Sequence, residues 1–162
     1  MNKLNFMGIG PKVGLVVLPW LALAIVFSMK FRSYFVYFKD TNNPLFLIGL
    51  VFLITGSTMY IMTIPSLLNG LKHTKLITTG TFYLCCNPLY TSIILLIIPG
   101  ISFMMNSWLV LTTSAIGMVL CKIFIRSEYV EMEKFFGDDF TKYRNETPEF
   151  LPFPIKKLFR ST

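Results

Sequence analysis

Glu128 is the residue best placed to do chemistry. At about 100° per residue, Cys121, Phe124, Ile125, Tyr129, Met132, Phe135 and Phe136 fall in one apolar arc of a helix. Glu128 lies in the middle of that arc, while Lys122, Arg126, Glu131, Glu133, Lys134 and Asp138 lie outside it. A carboxylate turned toward a helix bundle must be paired, protonated or reserved for a ligand. Its own face supplies no cation. Either a cationic side chain from elsewhere, such as Lys75, neutralises it, or it is the anionic partner of a positively charged guest.

A second group of polar residues interrupts an uncharged tract at 78–90, "TTGTFYLCCNPLY". Thr78, Thr79 and Gly80 offer hydroxyl and backbone hydrogen-bonding groups, and Gly80 is free to adopt positive φ. Asn87 suits a helix cap and Pro88 the first turn behind it, where a missing N–H costs nothing. Cys85, Cys86 and Cys121 imply no disulfide framework. With His73, the single histidine, they would make a metal-ligand set of the right types, but none of the usual two-residue spacings is present. No metal site is expected, and the thiols read as small apolar groups between helices.

The elements that must position these residues are membrane helices. The chain has 162 residues, is 54% hydrophobic and carries 16 phenylalanines, and charge is absent from 13–29, 41–71 and 76–121. At about 20 apolar residues per crossing, an all-α polytopic membrane protein with about four transmembrane helices is expected, near 13–29, 45–64, 89–105 and 108–125. Little chain remains for a separate soluble domain, so 1–162 reads as one domain. The first tract also has features of a cleaved signal, with Lys3 and Lys12 before it and Ala22-Leu23-Ala24 within it, but the apolar run continues past them as an anchor would. Pro19 need only kink that span. Pro65 is expected to close the second helix, and Asn69-Gly70 to form a turn.

Lys3 and Lys12, then Lys72 and Lys75, then eight basic residues from Lys122 onward fall on one side of a four-span arrangement. The positive-inside rule makes that side cytosolic, with both termini on it. Phe31, Tyr34, Phe35, Tyr37 and Phe38 read as an interfacial belt on the other side. The net charge of +7 therefore reflects topology and contact with anionic lipid, not nucleic acid. No Lys, Arg, Asp or Glu lies near the middle of any span, which argues against an ion-coupled carrier. After Gly137, a helix C-cap, "DDFTKYRNE" reads as a short helix ended by Thr147-Pro148. The remaining "EFLPFPIKKLF" suits either the membrane surface or a lid. A site is expected where the segment 65–88 meets the tail 122–154.

Two stretches on that side carry a resemblance: "LITTGTFYLCCNPLY" at 76–90, and "EYVEMEKFFGDDFTKY" at 128–143 followed by "TPEFLP". Together they resemble the paired signatures of the integral-membrane methyltransferases that include isoprenylcysteine carboxyl methyltransferase and the phospholipid N-methyltransferases. The resemblance implies a cofactor, S-adenosylmethionine, bound at the cytosolic mouth of the last helices by segments 74–90 and 122–154. Its contacts would come from Thr74, Lys75, Leu76, Ile77, Gly80, Phe82, Asn87, Pro88, Leu89, Tyr90 and Glu128. Glu128 and Arg126 are the catalytic candidates, although Arg126 lies about 160° around the helix from Glu128 and serves only if the helix distorts.

The resemblance further implies O-methylation of a prenylated cysteine or N-methylation of a phospholipid, with a membrane lipid or prenylated substrate entering from the bilayer and the oligomeric state left open. Phe124 stands where the carboxyl methyltransferases carry a substrate-binding arginine, Tyr129 replaces the second glutamate, and Cys86-Asn87 replaces Arg-His. These departures lie closer to the phospholipid branch, while the Phe-Gly tail is closer to the carboxyl branch. A non-catalytic relative that keeps the pocket is one alternative. A membrane NADPH reductase related to the steroid reductases is another, disfavoured because Thr91 and Ser92 stand where a carboxylate would be expected.

Overall fold

The computed structural model describes residues 8–39 and 43–151, and the only elements among them are helices, apart from a single antiparallel bridge between Val36 and Ser107. Helix α1, Gly10–Lys30, opens with Pro11 in its first turn and keeps Pro19 inside it. A short α2, Arg32–Phe35, precedes the long α3, Phe46–His73. After the one-turn α4, Thr81–Leu84, come α5, Pro88–Met104, and α6, Trp108–Phe136. The last helix is α7, Asp138–Glu146, separated from α6 by Gly137 at φ 59°. Helices α1, α3 and α6 are long and apolar enough to cross a membrane, and α5 is shorter. Lys3 lies outside the described residues, as does most of the final proline-broken segment.

Packing orders the long helices α3, α5, α6, α1, with α7 folded back on α6. The core joins Ile9, Val13 and Val17 of the N-terminal strip to Ile94 and Ile98 of α5 and to Cys121, Ile125 and Tyr129 of α6. The outer faces are apolar as well: Leu15 is 78% exposed and Leu47 71%. Such surfaces suit hydrocarbon, not water. Between α3 and α5 the backbones themselves touch. A Cβ at Gly49 would lie 2.8 Å from the Gly100 carbonyl oxygen, and one at Gly56 2.7 Å from Leu96 Cβ, so small residues one heptad apart permit the approach.

Helix α5 contains a π turn, Ser92–Ile97, directly before Pro99. In that register the Ile98 N–H reaches the Ile93 carbonyl, and the next bond would run from residue 99 to Ile94. Proline has no N–H to give. The Ser114 hydroxyl of α6 donates to the Ile94 carbonyl instead, and Gly117 one turn on leaves room for the Ile94 side chain. The helix irregularity is thus satisfied from its neighbour.

The end opposite Glu128 is closed by short polar links. Ser28 and Ser107 share a buried hydrogen bond of 2.6 Å, Ser102 donates to the Ser107 carbonyl at 2.7 Å, and the Tyr37 and Ser102 hydroxyls are 2.8 Å apart. Asn106, at φ 54°, accepts from the Phe38 N–H and donates to its carbonyl. Tyr34 and Trp108 lie at the same end, joined by a bond from the indole N–H to the Tyr34 carbonyl.

Replacing Ser114 with Ala leaves the Ile94 carbonyl without a donor in an apolar setting, and should cost about 1–3 kcal/mol. Ser114→Thr, which keeps the hydroxyl, should lose less. Reversible unfolding in mixed detergent micelles checks both, and equal stability of Ser114→Ala and the parent would contradict the account.

Candidate functional site

Helix α3 does not end at Pro65, as the sequence reading expected. It runs on to His73, because a proline removes a single helical bond and the turns on either side keep theirs. Asn69-Gly70 is helical too. Gly70 is needed for approach: a Cβ there would lie 2.3 Å from Ile77 Cδ1, so the returning chain lies directly on the helix. The reversal falls at Thr74, at φ 53°, with the Lys75 N–H bonded to the Gly70 carbonyl at 3.0 Å. The result is a cleft of about 390 Å³, polar and apolar in equal measure, whose walls include Asn69, His73, Lys75, Leu76, Ile77 and Thr79. Lys75, Leu76 and Ile77 thus share one cavity with Asn69, His73 and Thr79, which the sequence did not place among the cofactor contacts, and Thr74 is exposed.

Beyond Gly80, at φ 65°, the chain enters the bundle. Thr63 donates to the Thr81 hydroxyl at 2.9 Å, fastening α4 to α3. The tail is then stitched across this segment. The Tyr143 hydroxyl donates to the Phe82 carbonyl at 2.7 Å, the Cys86 N–H to the Pro148 carbonyl at 2.8 Å, and the Thr91 hydroxyl to the Phe150 carbonyl at 2.7 Å. Asn87 precedes Pro88 at the start of α5, but its side chain makes no capping bond. Its amide donates to the Tyr129 hydroxyl and, at 3.1 Å, to the Glu149 carbonyl. Asn87 and Pro88 are buried behind the tail, while Phe82, Leu89 and Tyr90 are half-buried.

Burial raises three groups in this docked region. The Cys86 thiol is pushed up to about 11, chiefly by loss of water and secondarily by Cys85 beside it. Cys85 and the Tyr143 hydroxyl rise for the same first cause, burial. The thiols are packing groups in their neutral forms.

Glu128 sits half-buried on the inward side of α6. Its Oε2 accepts from the Ile9 N–H at 3.3 Å and from the Tyr90 hydroxyl at 3.5 Å, and among the described residues it has no ion pair. Lys75 does not neutralise it. Gly8, at φ 50°, lies directly against the carboxylate, where a Cβ would come within 2.9 Å of Oε2. One turn back along α6, Lys12 Nζ stands 6.0 Å from the centre of the Phe124 ring. Both weak bonds to Glu128 leave acceptor capacity on a carboxylate that has about four lone-pair sites.

Arg126 is a correction. It is exposed and lines a separate groove with Met118, Val119, Lys122 and Ile123, so it shares no site with Glu128. The helix is regular there, and two residues of α-helix turn the side chains to opposite sides. Phe135, placed in the apolar arc by periodicity, is also exposed, while Phe136 beside it packs against the core. Sequence reasoning missed Gly8, Ile9 and Thr91. The glycine pair at 8 and 10, directly ahead of an apolar helix, was the available sign of close approach.

The arrangement defines an all-helical bundle with membrane-crossing character, a stitched polar end and one acidic side chain facing inward. No family model matches the chain, and no curated protein and no solved structure matches it significantly.

Because a thiol must ionise to attack a maleimide, Cys86 should label more than tenfold slower at pH 8 than a solvent-exposed cysteine, and accelerate as pH rises toward 11. Peptide mass spectrometry after timed N-ethylmaleimide treatment reads this directly. Thr91→Val, which releases the Phe150 carbonyl, should speed labelling at fixed pH by loosening the tail.

Proposed function

We propose that this chain is an integral-membrane methyltransferase that uses S-adenosylmethionine and acts on a lipid-like or isoprenoid substrate. The observation that carries the reading is the meeting of the two quoted stretches, 76–90 and 128–150, through direct hydrogen bonds at one end of the bundle. Glu128 fits a cationic or hydroxyl-bearing guest: it is half-buried, carries spare acceptor capacity and has no competing ion pair among the described residues. The cleft between the end of α3 and the returning chain supplies the Asn69 amide, the His73 imidazole and the Thr79 hydroxyl beside the apolar Leu76 and Ile77. Asn87 does not fit as a contact, since its amide is already committed to Tyr129 and Glu149; it is a positioning residue for the tail.

The cofactor would supply an electrophilic methyl group on a sulfonium, a displacement that calls for alignment and exclusion of water. Glu128 would bind and orient, Tyr90 would steady the carboxylate, and Phe82 and Leu89 would provide apolar walls. Gly8 and Ile9 cover Glu128 from the N-terminal side. In this reading α5 is a fourth crossing: its 17 residues are at the short end of what spans a bilayer. Both termini then share a face, which the basic residues make cytosolic.

A second reading, a non-catalytic relative that binds without turnover, is favoured by one observation. Arg126 faces away from Glu128, and Arg144, whose guanidinium lies 4.6 Å from the centre of the Tyr129 ring, is already paired with Glu133.

Titration calorimetry of detergent-solubilised protein should show S-adenosylmethionine binding, weakened roughly tenfold to a hundredfold in Glu128→Gln, the range for a lost charge-assisted hydrogen bond. Unchanged affinity in the variant would remove Glu128 from the site. Transfer of labelled methyl into extracted lipid or prenylated protein separates the readings: binding without transfer supports the non-catalytic one. Tags at both termini of sealed vesicles should be equally accessible to protease, and opposite accessibility would mean an odd number of crossings.

A further inference from the structure

We infer that the outward face of α6 at its charged end binds an anionic phospholipid, at a site separate from the Glu128 corner. Met118, Val119, Lys122, Ile123 and Arg126 border a groove of about 500 Å³. Val119 and Ile123 are 58% and 60% exposed, an apolar strip that no described part of the chain covers. Lys122 and Arg126 rise beside it four residues apart, on one face, both exposed and neither with an ion pair among the described residues. Glu133, the acid next along this face, is bonded to Arg144 at 2.8 Å and so does not neutralise them. Two positive charges therefore stand unanswered at the head of an apolar groove.

Depth matches a lipid. At 1.5 Å per residue, Lys122 and Arg126 lie roughly 21 and 27 Å along α6 from Trp108. Trp108 is exposed at the opposite end, beside Tyr34, where an aromatic anchor belongs. With a hydrocarbon core about 30 Å thick, the two cations reach the phosphate level of the far leaflet, their aliphatic stems lying along the groove. Arg126 offers a planar fork to two phosphodiester oxygens, and Lys122 a point charge to a third. A choline headgroup would bring its own cation against this pair, so a headgroup with net negative charge is preferred. The inference needs only that α6 spans a bilayer, and stands whether or not methyl transfer occurs.

Native mass spectrometry of protein released from mixed micelles of dioleoylphosphatidylglycerol and dioleoylphosphatidylcholine tests it. The parent protein should retain phosphatidylglycerol over phosphatidylcholine. Lys122→Gln with Arg126→Gln should lower that retention roughly thirtyfold, about fivefold for each cation, and each single change about fivefold. Lys134→Gln with Lys142→Gln makes the same charge change elsewhere and should leave it intact. Equal retention of the two lipids by the parent protein overturns the inference, as does an equal loss in the two double variants. Should the first double variant fail to fold, the single variants and the parent's preference decide.

Discussion

Hydrocarbon offers no hydrogen bonds, so each polar atom carried into it must find its partner within the chain. The arrangement of this protein follows from that demand. The π turn before Pro99 leaves the Ile94 carbonyl exposed to the lack of a donor, and a serine on the adjacent helix answers it. At the end opposite Glu128 three serines, a tyrosine and two asparagines tie the loops together in the same manner. None of these links requires charge. They are short, local and internal, as an apolar surrounding demands.

At the polar end the demand is met differently. There the chain breaks between the one-turn α4 and the start of α5, and backbone groups on either side of the break are taken up by the tail some sixty residues later: Cys86 by Pro148, Phe82 by Tyr143. Thr91 and Asn87 return the favour by donating to Phe150 and Glu149. The two segments are therefore halves of one structure, each satisfying what the other leaves open. Glu128 stands out against this background. Its partners are an amide and a phenol at the outer limits of hydrogen-bond length, a weak answer to a formal charge when its neighbours are so closely bonded.

Much of this was legible in the residues. Charge-free tracts announced the long helices, Gly137 and Thr147-Pro148 bounded the last one, and the 3.6 period turned Glu128 inward. The errors have physical causes. Pro65 and Asn69-Gly70 are strong breakers in water, where a frayed helix end is solvated at little cost, but α3 keeps its bonds to His73 and spends the glycine on contact with Ile77. Asn87 had the type and position of a cap, yet the buried Tyr129 hydroxyl and the Glu149 carbonyl were the needier partners. Ile9 could not have been found by side-chain chemistry at all, because the atom that meets Glu128 is its backbone nitrogen.

The rotation of α6 ties these points together. Arg126 and Glu128 are two positions apart, and in a regular helix that step reverses the direction a side chain faces. The inward side chain meets Ile9 and Tyr90, and the outward one meets the groove beside Val119 and Ile123. A carboxylate and a guanidinium so close in sequence would attract each other if the helix allowed it, and each would then be spent. Regular geometry keeps them apart. It leaves an anion available to the interior and a cation available to the surroundings, so a single turn of helix presents opposite charges to two separate environments.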